Sequence, residues 1–129
     1  MTYEETLHYL YTSIPVFQHS GASAYKPGLG TSIALDDYLG NPHKAYKTIH
    51  VAGTNGKGSV SHLLAAILRQ SGFKVGLYTS PHLVDFRERI RVNGKKISQD
   101  YVVDFVERHR SFFEPLHPSF FELTSSMAF

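Results

Sequence analysis

Cysteine is absent from the 129 residues. Its absence removes disulfide scaffolds, thiol nucleophiles and Cys-based zinc sites together, and a reducing, cytosolic setting is compatible with it. The 8 histidines are scattered, without a zinc-ligand spacing such as His-x-x-x-His. Charge of one sign is scarce too: 13 Lys+Arg stand against 11 Asp+Glu, a net of +2. That excludes the clustered basic face of an electrostatic nucleic-acid binder. The longest unbroken aliphatic stretch, residues 63–68, falls far short of the roughly 20 apolar residues a membrane-spanning helix needs. The opening Met1-Thr2-Tyr3-Glu4-Glu5 is acidic and lacks the basic-then-apolar order of a secretory signal. What is there is 42% hydrophobic and 19% charged, the balance of a folding globular chain about one domain long. The expectation is a soluble, cytoplasmic protein with neither a nucleic-acid nor a membrane partner.

Thr2-Tyr3-Glu4-Glu5 has the spacing of a capping box, in which a hydroxyl and a carboxylate satisfy the first free amides of a helix. Leu7, Leu10, Tyr11 and Ile14 follow at helical spacing until Pro15 ends the pattern. Residues 15–30 hold three glycines and two prolines and read as a loop. A short helix is expected from Thr31, carrying Leu35 and Leu39 and stopping at Gly40-Asn41-Pro42. Thr48-Ile49-His50-Val51-Ala52 reads as a buried strand, followed at once by Gly53-Thr54-Asn55-Gly56-Lys57-Gly58-Ser59. The next helix is predicted from about Gly58 to Ser71, with Val60, Leu63, Leu64, Ile67 and Leu68 on its apolar face and Gly72 as its stop. Residues 74–79 read as a second apolar strand. Strand, glycine turn, helix, strand is a βαβ unit, which predicts two parallel strands with a right-handed crossover. The fold class is therefore α/β, a P-loop-type parallel sheet with flanking helices.

Beyond Ser80-Pro81-His82, Arg89-Ile90-Arg91-Val92 is expected to be extended and to return through Asn93-Gly94 into Lys95-Lys96-Ile97 as a hairpin. Ser98 is placed to cap a helix reaching about Glu114, with Val102, Val103, Val106 and Phe113 inward. Ser119-Phe120-Phe121-Glu122 is a second capping box. Two parallel strands do not make a sheet with both faces covered, since sheets of that kind normally have several more. The chain is thus expected to be a fragment of something longer.

The chemistry lies in the glycine-rich stretch. Backbone amides meet a phosphate chain only where no side chain intervenes, and glycines at a strand end let successive N–H groups curl toward the anion. The N-terminus of the next helix adds a positive field. Lys57 would extend toward the outer phosphates as a point charge, and Ser59 or a neighbouring hydroxyl could face Mg²⁺. The stretch departs from a standard P-loop: two residues, not four, separate its first two glycines, and the serine lies two positions after the lysine. A plain structural turn between strand and helix is the competing reading.

Residues His50–Ser59, followed by Gly76-Leu77-Tyr78-Thr79-Ser80-Pro81-His82-Leu83, resemble folylpolyglutamate synthase and its dihydrofolate synthase relatives, of the Mur ligase superfamily. Glu88-Arg89-Ile90-Arg91-Val92-Asn93-Gly94, the late Phe121-Glu122-Leu123-Thr124, and the shorter Tyr25-Lys26-Pro27-Gly28-Leu29-Gly30 and Leu39-Gly40-Asn41-Pro42 match in the same order. After Leu29 this chain has Gly30-Thr31 where many members carry an arginine. The resemblance implies an ATP-dependent ligase that adds L-glutamate to tetrahydrofolate, or also to dihydropteroate, through an acyl phosphate. It implies that residues 1–129 are the N-terminal part of the central ATPase domain, that the rest of that domain and a C-terminal domain are missing, and that the full-length protein is a monomer. By the same resemblance Gly53, Thr54, Asn55, Gly56, Lys57, Gly58 and Ser59 bind ATP, with Lys57 catalytic. Ser80 and Glu122 are magnesium ligands, and Pro81, His82 and Arg89 lie in the segment that contacts the folate. The missing parts predict that the isolated chain does not ligate.

Each assignment has a structural rival. Glu122 sits three residues after Ser119, the spacing of a cap. Ser80-Pro81 fits a strand-ending turn. Arg87, Arg89 and Arg91 alternate as on a solvated strand face. Phe112, Phe113, Phe120 and Phe121 fit core better than a stacking platform. Two other functions share the glycine loop: a Mur-type cell-wall amino-acid ligase, and a non-ligase P-loop nucleotide-binding protein. Against the latter, the strand at 74–79 ends in Tyr78-Thr79-Ser80 rather than in a metal-binding Asp.

Overall fold

A computed structural model describes residues 1–14 and 28–129. The loop expected at 15–30 therefore lies largely outside the described residues, as does Tyr25-Lys26-Pro27. The order is α1 (Tyr3–Ser13), α2 (Gly30–Tyr38), α3 (Lys57–Gln70), β1 (Gly76–Tyr78), β2 (Ile90–Val92), β3 (Lys95–Lys96), α4 (Gln99–Phe113) and α5 (Phe120–Ala128). Short 3-10 turns occupy Pro42–Ala45, Phe86–Arg89 and Glu114–Leu116. The chain forms two compact units, one of residues 1–47 with 100–127 and 129, the other essentially residues 48–99.

The first unit is helical and has a full core. Leu10 and Ile14 of the α1 end, Leu35 of α2, Val102, Phe105, Val106 and Phe113 of α4, and Phe120, Leu123 and Met127 of α5 are all buried. Both predicted capping boxes form: Thr2 with Glu5 at the start of α1, and Ser119 with Glu122 at the start of α5. Each satisfies two amides that helix geometry leaves without intrahelical partners. The aromatic expectation needs one correction. Phe113 and Phe120 are buried and Phe112 stacks on Tyr38, whereas Phe121 is 59% exposed, because it lies on the solvent side of the first turn of α5.

The second unit carries the glycine loop. Here α3 lies against β1 and ends in a Schellman motif: the Phe73 amide donates to the Leu68 carbonyl at 3.1 Å and that of Gly72, at φ +94°, to Arg69 at 3.0 Å. The sheet runs β1-β2-β3 and is antiparallel throughout, with Leu77 opposite Arg91 and Arg91 opposite Lys96. Asn93 and Gly94, both at positive φ, make the hairpin turn. The Asn93 side chain accepts from the Val75 amide at 2.8 Å, and the Asn93 amide donates to the Val75 carbonyl at 2.8 Å.

The α/β character holds, but the parallel pair does not form among the described residues. Residues 48–52 make no strand. The physical reason is partner supply. β1 pairs with antiparallel β2 on one side only, and a parallel ladder on its other side needs further strands beside it. The same shortage shows in α3, none of whose residues is buried: Val60, Leu63 and Ile67 are 47%, 63% and 60% exposed. The predicted apolar stripe is real as a pattern and bare as a surface.

Candidate functional site

The glycine loop leads directly into α3. Gly53 sits at φ +154° and Gly56, the residue before the helix, at φ +76°, a left-handed conformation that costs an L-residue about 1–2 kcal/mol. The start of α3 differs from those of α1 and α5. It has no side-chain cap and no acidic residue in its first turn, so no carboxylate within that turn neutralises the helix-end field, worth about half a positive charge. The Lys57 ammonium is folded back over the loop, donating to the Gly53 carbonyl at 2.5 Å and more loosely to that of Thr54 at 3.4 Å. Nothing lies within 4 Å of where a Cβ would stand on Gly53, Gly56 or Gly58. The result is an exposed cup with uncapped amides, one cation turned into it and open space at its glycines. Such a cup suits a phosphate chain. Asn55 and Ser59 are exposed within it.

The second half of the site begins where β1 ends. Ser80 is exposed and joined to Pro81 by a cis peptide. Next comes a tight loop over 82–85, in which Leu83 and Val84 are 91% and 90% exposed. Sequence reading missed its organising device, an Asp85–Glu88 capping box at the Phe86–Arg89 turn. The Asp-x-x-Glu spacing was its signal. The Glu88 carboxylate accepts three successive amides, from Leu83 at 3.0 Å, Val84 at 3.1 Å and Asp85 at 2.8 Å. The bonds from the Leu83 and Asp85 amides outweigh the opposing effect of burial and, with that of Val84, hold its pKa down at about 2. Burial works to raise that of Asp85, but the Arg87 amide, the Lys96 ammonium and the Arg87 guanidinium outweigh it and keep this carboxyl well below the carboxylate range.

The alternating arginines are not a uniform solvated face. Arg87 spans Asp85 at 3.0 Å and the Ile97 carbonyl at 3.3 Å. Arg89 is only 4% exposed, and its Nε donates to Nδ1 of His82 at 2.8 Å. That bond places the ring proton of His82 on Nε2. Burial and the adjacent guanidinium push the imidazole below its ordinary pKa.

Of the sequence-predicted site residues, the glycine loop, Ser80, Pro81, His82 and Arg89 belong to one unit and Glu122 to the other. Glu122 performs the capping role, its carboxylate accepting from the Ser119 amide at 3.4 Å while its own amide donates to the Ser119 hydroxyl at 3.1 Å. Ser80 and Glu122 both offer hard oxygen donors, the kind Mg²⁺ takes while keeping several waters. Among the described residues no three His, Asp or Glu side chains converge as a metal cage, and no helix is long and apolar enough to cross a membrane. A cleft of about 250 Å³ in the helical unit, lined by residues such as Tyr101, Phe105, His109 and Phe129, contains none of the predicted site residues.

No protein-family model matches the chain. A probable bifunctional folylpolyglutamate synthase/dihydropteroate synthase of Haloferax volcanii is 39% identical over 99% of this chain, which spans 15% of that protein. The crystal structure of a folylpolyglutamate synthase from Thermotoga maritima superposes with a TM-score of 0.83 at 45% identity, covering 98% of this chain and 29% of that one. A folylpolyglutamate synthase solved as a complex with AMPPCP and folate gives 0.81 at 32% identity, with 99% and 31% covered. The chain thus spans from about a seventh to a third of these relatives' length.

Proposed function

The chain belongs to the folylpolyglutamate synthase and dihydrofolate synthase family, spanning part of its members' length, and from that premise we propose that the complete protein is an ATP-dependent ligase joining L-glutamate to a folate. Residues 1–129 are, in this reading, the N-terminal part of its ATP-binding domain. The acceptor is tetrahydrofolate, dihydropteroate or both, and the complete protein is a cytoplasmic monomer.

A carboxylate is a poor electrophile, so it needs a leaving group before an amine can attack it. Phosphoryl transfer from ATP to the folate's terminal carboxylate supplies one. The glutamate amine then adds to the acyl carbon, loses its proton, and phosphate leaves from the tetrahedral intermediate. The chain's own share is positioning and charge. The amides of residues 53–59 cradle the phosphates, and Lys57 exchanges its bonds to the Gly53 and Thr54 carbonyls for bonds to phosphate oxygens. Ser80 and Glu122 would hold Mg²⁺, which when bound neutralises phosphate charge. Pro81 and His82 face the acid substrate.

One observation carries the reading: α3 begins without a cap or an acid, with Lys57 turned over the preceding loop. α2 also begins without a cap or an acid; what sets the start of α3 apart is the Lys57 ammonium held over a loop whose Gly53 and Gly56 are at positive φ. The test is glutamate-dependent ADP release by the complete protein with a folate acceptor. Release expected with tetrahydrofolate or dihydropteroate supports the reading. Release only with a nucleotide–peptide precursor establishes the cell-wall ligase alternative, and release without any acceptor a simple nucleotidase. The 129-residue chain alone releases none.

A further inference from the structure

The loop over 82–85 combines two features. Its tip carries two apolar side chains at 91% and 90% exposure, Leu83 and Val84. Yet its backbone is fastened by three charge-assisted bonds to a single carboxylate, Glu88, at 2.8–3.1 Å, a class of bond about twice as strong as a neutral one. The next residue, Arg89, is withdrawn from solvent and used on the His82 ring. Asp85 is itself held by Arg87 and Lys96 at 3.0 Å each. An exposed tip made only to be solvated needs neither apolar side chains nor a fixed shape. A fixed apolar tip beside an oriented imidazole is preorganised for a ligand with an apolar face and a polar edge.

We propose that Glu88 and Arg89 are positioning residues: Glu88 fixes the backbone of residues 83–85, and Arg89 fixes the ring of His82. Together they present Leu83, Val84 and the His82 imidazole to the acid substrate. This assignment rests on the ligase reading above and deepens it. Arg89, expected from sequence to touch substrate, acts instead through His82. Neither residue takes part in phosphoryl transfer, so their loss weakens acid-substrate binding and leaves nucleotide binding and turnover intact.

The test has two arms. In the 129-residue chain, amide hydrogen exchange at Leu83, Val84 and Asp85 is compared between wild type and Glu88→Gln, which keeps the size but not the charge or the second acceptor oxygen. Exchange at the three is expected to rise about tenfold, the equivalent of one charged hydrogen bond, while the β2 amides hold theirs. Unchanged exchange at the three overturns the brace. In the complete ligase, Glu88→Gln is expected to raise KM for the folate acceptor about tenfold, with kcat and KM for ATP within about twofold. Leu83→Ala with Val84→Ala, at exposed positions the fold does not need, reproduces that split, and Arg89→Lys gives a smaller rise. Unchanged acceptor KM, or equal losses in kcat and both KM values, overturns the positioning role. A wild-type complete protein that ligates no glutamate to folate overturns the ligase reading and the choice of substrate, and the exchange arm then judges the brace separately.

Discussion

Replacing Gly58 by alanine separates a phosphate cup from a structural turn, because the two readings predict opposite couplings of stability and binding. Gly58 is the second residue of α3, it has no positive φ, and nothing lies within 4 Å of a built Cβ. The folded chain therefore supplies neither a dihedral nor a steric reason for glycine there. Glycine inside a helix costs roughly 0.5–1 kcal/mol against alanine, so Gly58→Ala should stabilise the chain by about 0.5 kcal/mol, the lower end applying to a first-turn position. If the reason for glycine is a phosphate drawn against the first-turn amides, the added methyl must push it back. Nucleotide affinity of the complete protein then falls about tenfold or more, roughly 1.4 kcal/mol. Gly56→Ala is the companion: at φ +76° it should cost about 1–2 kcal/mol of stability as well as binding. Urea unfolding followed by circular dichroism gives the first quantity, and calorimetric titration with ATP the second. A more stable Gly58→Ala protein that binds ATP as well as wild type would refute the cup.

Three further outcomes follow from the same geometry. Leu63→Ala, on the bare face of α3 at 63% exposure, should cost under about 1 kcal/mol in this chain, whereas Leu123→Ala, fully buried in α5, should cost about 2–5 kcal/mol by urea unfolding; equal costs would contradict the bare face. Asn93→Ala removes the acceptor for the Val75 amide and places alanine at φ +50°, for a loss of about 2–4 kcal/mol in the local opening of β1 seen by hydrogen exchange. Glu88 titrates at about 2 in the folded chain against an ordinary 4.5, so on acidification the unfolded loop takes up its proton first. Its contribution is full above pH 4.5 and is lost as pH falls toward 2; a carboxyl carbon titration by NMR with a midpoint near 4.5 would show that the three amide bonds are not made.

Much of this was legible in the residues. The capping boxes at Thr2 and Ser119, the Gly72 stop and the Asn93-Gly94 hairpin are local chemistry, and local chemistry is written in adjacent positions. The turn ahead of α3 was legible for the same reason, as closely spaced glycines, two of which take positive φ. Burial was not legible where the partner lies elsewhere. The apolar stripe of α3 and the hydrophobic run at 48–52 carry the pattern of a covered layer, but a periodicity states what a segment can bury and not what stands opposite it. Arg89 illustrates the converse. Its alternation with Arg87 and Arg91 resembles a wet strand face, and only the placement of His82 seven residues earlier explains why a guanidinium is withdrawn from solvent. The bracing role of Glu88 was not legible because its service is to backbone amides, which have no sequence signature of their own beyond the Asp-x-x-Glu spacing.

The most direct measurement of the central claim is a structure of the complete protein with Mg²⁺ and a non-hydrolysable ATP analogue. The cup predicts phosphate oxygens against the amides of Asn55 to Gly58, with Nζ of Lys57 moved from the carbonyls it holds at 2.5 and 3.4 Å to about 3 Å from the β- or γ-phosphate. Nucleotide seated elsewhere, with that ammonium still on Gly53 and Thr54, would contradict it.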